Sequence, residues 1–154
     1  MPRNYPQELA AQIREAFSGV TLKKGVGLRQ GQALDDYADK ETTRRARESD
    51  EKDDWSRIPS ADLNECYSSL SFFDAEGMRF HLPAFLLADL AGEYDQNLVF
   101  HLTDLGDHGQ RQFALLSPAQ VAAVRAYLEF IADDADRAFD KPNILSAIDV
   151  YWSA

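Results

Sequence analysis

Cysteine is almost missing from this chain. A single residue, Cys66, among 154 excludes any internal disulfide, and with histidine confined to His81, His101 and His108 a zinc centre of Cys/His type is poorly supplied. No HxxxH or HExxH pair occurs, no GxSxG elbow surrounds Ser68, Ser69 or Ser71, and the glycines at 25, 27 and 31 lack the spacing and terminal Lys-Ser/Thr pair of a phosphate-binding loop. No cofactor motif is present. The chain also lacks any apolar run of about 18 residues, so no membrane span is expected. Its first residues, Met1 to Pro6, do not show the charged-then-apolar order of an export signal, which places the expected location in the cytoplasm.

Basic charge is the other scarcity, and it is local. From Met1 to Arg57 there are 11 Lys and Arg against 11 Asp and Glu, whereas from Ile58 to Ala154 there are 5 against 15, so the whole net charge of −10 falls in the second part. Between Arg79 and Arg111 no Lys or Arg occurs, while Asp89, Glu93, Asp95, Asp104 and Asp107 lie inside the gap. A second acidic group, Glu129, Asp133, Asp134, Asp136 and Asp140, follows the best-defined helical pattern. Such a field repels nucleic-acid phosphates and anionic lipid, and it steers a basic protein inward at rates that fall with salt.

What is abundant is core material: 45% of residues are hydrophobic and 11% aromatic. A chain of this size buries roughly 68–70% of its unfolded surface, and residues 1–154 are expected to form one mainly α domain, a helical bundle. Leu9, Ile13, Ala16 and Phe17 mark one stripe of a first helix, with Asn4 a candidate cap, Pro6 in its first turn and Gly19 closing it. A second helix starts near Leu28 or Gln32. Residues 39–57 carry 13 charges of both signs among 19 residues and read as a solvated helix or a flexible connection. Ser60 is positioned to cap a helix bearing Leu63, Cys66, Tyr67 and Leu70, which puts Cys66 on a buried stripe. Asp74 is positioned to cap the next, where Asp74 and Glu76 suit the helix dipole better than acid–base chemistry. A kink or restart is expected at Leu82-Pro83, followed by a segment to Leu90 that is apolar all round and therefore central. Residues 98–102 and 112–116 are short and apolar enough for a small β-hairpin. Ser117-Pro118 opens the safest helix, with Val121, Val124, Leu128 and Ile131 on one face, and Pro142 opens the last.

Several of these stretches share a pattern. Leu70-Ser71-Phe72-Phe73, then Gly77 to Ala88 (Gly-Met-Arg-Phe-His-Leu-Pro-Ala-Phe-Leu-Leu-Ala), then Val99 to Thr103 and Leu116 to Gln120, resemble a family of small bacterial proteins of unknown function. The resemblance covers Trp55 to Ile131 and implies a mostly helical domain. It brings no catalytic residues, and the amino-terminal part departs most from the pattern.

Three readings of function follow. The first is a non-enzymatic module that binds a basic protein through the two acidic groups, in its sharpest form an immunity protein that neutralises a secreted toxin. The second is a small hydrolase or metal-assisted enzyme using Arg79, His81, His101 and His108 with nearby carboxylates. The third is a homo-oligomeric structural protein, because the apolar supply is ample.

Overall fold

The computed structural model describes residues 6–153, so Asn4, a candidate cap, lies outside the described residues. Within them are ten α-helices and no strand: α1 (Gln7–Ala16), α2 (Leu28–Asp35), α3 (Lys40–Ser49), α4 (Ser60–Glu65), α5 (Ser69–Phe72), α6 (Ala75–Leu90), α7 (Leu98–Thr103), α8 (Asp107–Gln112), α9 (Pro118–Ala132) and α10 (Lys141–Ala147). Short 3-10 turns cover Trp55–Arg57 and Ala135–Arg137, and a π turn, Ile148–Trp152, continues α10.

The central element is α6. Its surface from Met78 to Leu86 is buried on nearly every side, as an all-round apolar helix requires, and α1, α4, α7 and α8 lie against it. Of the kink or restart expected at Leu82-Pro83, the restart does not occur: the helix runs through Pro83. Proline removes one intrahelical bond, the one to the Arg79 carbonyl, at a cost of about 3 kcal/mol. Burial of Phe80, Leu82, Phe85 and Leu86, each with no exposed surface, offsets that cost at about 1.5–3 kcal/mol per large side chain.

Two further expectations are corrected. The hairpin at 98–116 is replaced by α7 and α8, because Asn97 caps the first turn of α7 through the Phe100 amide and the Leu98, Val99, Leu102 spacing then buries one helical face. The stripe from Leu63 to Leu70 does not lie on one helix. Its chain breaks at Cys66 between α4 and α5, which leaves Leu63, Cys66 and Leu70 buried but turns Tyr67 outward, 55% exposed. Pro59, not Ser60, precedes the first turn of α4, and the Ser60 hydroxyl instead donates to Glu93. Ser117 caps α9 in a capping box with Gln120, as its sequence signature predicts.

The glycine-bearing segment 22–31 is clamped to the start of α6. Asp74 Oδ1 accepts from the amides of both Gly77 and Val26, and Glu76 accepts from the Lys24 amide, so both carboxylates serve backbone satisfaction. The two backbones approach so closely that a Cβ on Gly77 would lie 2.6 Å from the Val26 carbonyl oxygen. Asp50, buried behind α3, accepts from the amides of Arg29 and Gln30 and so caps α2 from 20 residues away. Burial raises its pKa despite those two donors. The charged stretch forms α3, a helix with no buried residue, laced by pairs of Glu41 with Arg44 and Arg45 and of Arg44 with Glu48. Arg47 secures it to the clamped segment by donating to the carbonyls of Lys23 and Gly25.

Candidate functional site

The acidic residues are placed by three local devices. Asn64 on α4 holds the loop between α6 and α7: its amide donates to the Glu93 carbonyl and its oxygen accepts from the Asp95 amide at 2.8 Å. Tyr94 points inward between them, edge-on to Phe85 at 5.2 Å. Beyond α9, residues 133–140 are anchored from below by Arg137, whose guanidinium donates to both oxygens of Asp89 at 2.8 and 3.0 Å. Asp89 lies on α6 and is only 4% exposed; the Tyr127 hydroxyl donates to it as well. A buried carboxylate with a guanidinium and a phenol is a satisfied group rather than a surface one.

This arrangement gathers part of the acidic set and disperses the rest. Asp95, Asp136 and Asp140 line one open hollow of about 470 Å³ together with Gln96, Asn97 and Arg137. They come from the two acidic groups of the sequence, and none of the three makes an ion pair among the described residues. Asp133 and Asp134 sit at its margin, within 3.9 Å of Lys141 and 4.0 Å of Arg137 respectively. Phe139, in the same segment, is 92% exposed. Asp104 and Asp107 lie beyond the opposite end of α7, Glu129 pairs with Arg125 along α9, and Glu93 is tied to Ser60. Asp89 is therefore removed from the candidate surface: burial and its bonds to Arg137 and Tyr127 give it a structural role.

The match to known sequences spans residues 6–154, against a family described as a family of unknown function (DUF6714). The chain belongs to DUF6714. No curated protein and no solved structure matches it. The match takes in the glycine-bearing segment and the charged stretch of this DUF6714 protein as well as the apolar centre.

The histidines of the enzymatic reading lie on three different helices, and the buried Nε of Arg79 and Nε2 of His81 have no hydrogen-bond partner among the described residues. His81 is wholly buried, stacked on Phe73 with ring centroids 4.3 Å apart, and its Nδ1 lies 2.7 Å from the Gly77 carbonyl. Burial pushes its pKa down to about 4, against smaller upward pulls from that carbonyl and from Asp74. His101, on α7, is also lowered by burial, with Asp104 pulling the other way. His108, on α8, has Nε2 3.0 Å from the Ser71 carbonyl. No group of three or more His, Cys, Asp or Glu among the described residues is arranged to hold a metal. Cys66 is buried and its thiol is pushed up to about 11, first by burial, which is the reverse of an activated nucleophile. No helix among the described residues is long and apolar enough to cross a membrane.

Three residues that matter here carry little sequence signal. Arg137 reads as one cation in an acidic run, Asp50 as one charge among many, and Phe139 as an isolated aromatic. Phe139 even falls at helical spacing from Ile131, Ala132 and Ala135, so periodicity gives no cue to its exposure.

Proposed function

We propose that the protein is a non-enzymatic binding module whose acidic face, centred on Asp95, Asp136 and Asp140 with Phe139 beside them, captures a basic protein. The observation that carries the reading is convergence: carboxylates some 40 residues apart in sequence share one hollow, and Phe139, next in sequence to one of them, leaves its ring 92% exposed. An aromatic anchor bordered by unpaired charge is the arrangement of a hot spot with a steering rim, the ring supplying affinity and the charges supplying on-rate. In the sharpest form of this reading the partner is a toxin, and this chain is the cognate immunity protein that holds it inactive.

The test uses the products of genes adjacent to the one encoding this chain. Cells expressing each product are scored for growth arrest and for rescue by this protein, and association of any rescuing pair is followed by stopped flow at low and high salt. Rescue with salt-sensitive association, slowed when Asp136→Lys and Asp140→Lys are combined, supports the proposal. Equal on-rates for variant and parent overturn the acidic face as the binding surface, and no rescue by the chain of any arrest overturns the immunity form.

A further inference from the structure

A second surface has the opposite character. α2 and α3 pack against each other, but α3 buries no residue, and a groove opens along the pair. The resulting groove, about 660 Å³, has Leu34, Ala38 and Thr43 in its lining and Lys40, Arg44, Arg47, Lys52 and Glu48 along its border; Arg44 is held by Glu41 and Glu48, and Arg47 and Lys52 donate to backbone carbonyls, which leaves Lys40 as the cation presented to an incoming carboxylate. Leu34 is 40% exposed within it.

At the end of α2, Tyr37 adds an independent sign. The amides of Tyr37 and Ala38 donate back to the carbonyls of Leu34 and Ala33, closing the helix with a Schellman turn whose left-handed position normally holds glycine. Here a tyrosine occupies it at φ 56°, and its ring is 95% exposed. Left-handed backbone at a bulky residue is costly, and at Tyr37 the ring gains no burial within the described residues that would offset the cost.

We propose that this groove receives the acidic segment of a second copy of the same chain, with Phe139 seated on Leu34 and Ala38, Tyr37 at the lip, and Asp136 and Asp140 facing Lys40. The chain supplies both complements. Its donor segment carries the most exposed phenylalanine among the described residues, between two carboxylates, and its acceptor is an underfilled apolar groove with a cationic border. Phe139 stays solvent-exposed in its own protomer, so the occupant comes from another. A single aromatic ring with two flanking carboxylates is expected to bury less than the roughly 1,200 Å² of a standard stable interface, so a dissociation constant in the micromolar to millimolar range is expected. The inference does not depend on a foreign partner, and its test contains none.

Sedimentation velocity of the purified chain over a wide concentration range reads it out. The parent is expected to show a concentration-dependent rise in mass that falls with added salt. Phe139→Ser, which removes the donor, and Leu34→Glu, which blocks the acceptor, both alter exposed positions, and each is expected to weaken association at least about tenfold. An equimolar mixture of the two variants keeps one intact groove and one intact Phe139, and it is expected to associate where neither does alone. Tyr37→Gly separates docking from folding, because it relieves the left-handed strain and raises the melting temperature while weakening association. A parent that stays monomeric throughout, a Phe139→Ser variant that associates like the parent, or a mixture that fails to recover overturns the proposal. Self-association and capture of a basic protein both use Phe139, Asp136 and Asp140 and therefore compete; Leu34→Glu removes only the groove, so it separates loss of self-association from loss of the acidic face.

Discussion

Replacing Asp89 by asparagine keeps the size and shape of the side chain and leaves an oxygen to accept from Tyr127, but it removes the charge opposite Arg137. The guanidinium, whose side chain is 14% exposed, then remains in the interior with only the 4.0 Å contact to Asp134. Breaking a buried ion pair by deleting one member costs about 3–5 kcal/mol, and the partial exposure of Arg137 with its second carboxylate lowers the expectation here to about 2–4 kcal/mol. For a chain of this length each kcal/mol moves the melting temperature by about 2–4 °C, so Asp89→Asn is expected to melt roughly 5–15 °C below the parent. Scanning calorimetry or circular dichroism gives the number. A double-mutant cycle with Arg137→Gln isolates the pair, and the double variant is expected to be more stable than the sum of the singles implies, by at least about 1 kcal/mol. The same change frees residues 133–140 from α6, and their amide exchange is expected to quicken more than that of α9. A melting temperature within a degree of the parent, or strict additivity in the cycle, would falsify the assignment of Asp89 to the interior network.

Three other expectations come from the buried groups. His81 has a folded pKa of about 4 against about 6.5 when unfolded, so below pH 6.5 the unfolded chain takes up a proton that the native one refuses. Its contribution is complete at neutral pH and is lost as pH falls from 6.5 toward 4; urea unfolding at pH 7.5 and pH 5 should show about 2 kcal/mol more loss for the parent than for His81→Gln, and an equal loss would refute it. Gly77→Ala forces a methyl onto the Val26 carbonyl and is expected to cost about 1–3 kcal/mol by chemical denaturation, and a neutral result would mean that the clamp is looser than drawn. Cys66, dry and with its thiol near 11, should react with an aromatic disulfide reagent at pH 8 only as fast as the protein opens; prompt native labelling would contradict its burial.

The helical class and the starts of α6 and α9 were readable because Asp74 and Ser117-Pro118 act on their own next few residues, where sequence order and spatial order coincide. Cys66 is buried as expected but not by the stripe that suggested it, since the helix ends there and Tyr67 turns outward. The hairpin error came from Leu98 to Leu102, a run too short for either period to decide, where Asn97 supplied a cap that alternation does not register. The restart expected at Pro83 does not occur because the local cost of proline is outweighed by burial on nearly all sides of α6. The candidate site was half visible: the two acidic groups could be seen, but not that Asp95 joins Asp136 and Asp140, nor that Asp89 turns inward. Both depend on Arg137 reaching 48 residues back along the chain, and a pairing at that separation leaves no trace in composition or period.

Trp55 and Trp152 are both withdrawn from water, and each indole N–H donates to a carbonyl in a different neighbourhood: Trp55 to Phe17 at the end of α1, Trp152 to Leu102 at the end of α7. Native fluorescence therefore originates from two dry positions with separate surroundings. Removing one indole at a time turns emission into a regional reporter of cooperativity. Coincident denaturant midpoints would mean that the α1 and α7 neighbourhoods come apart in one event.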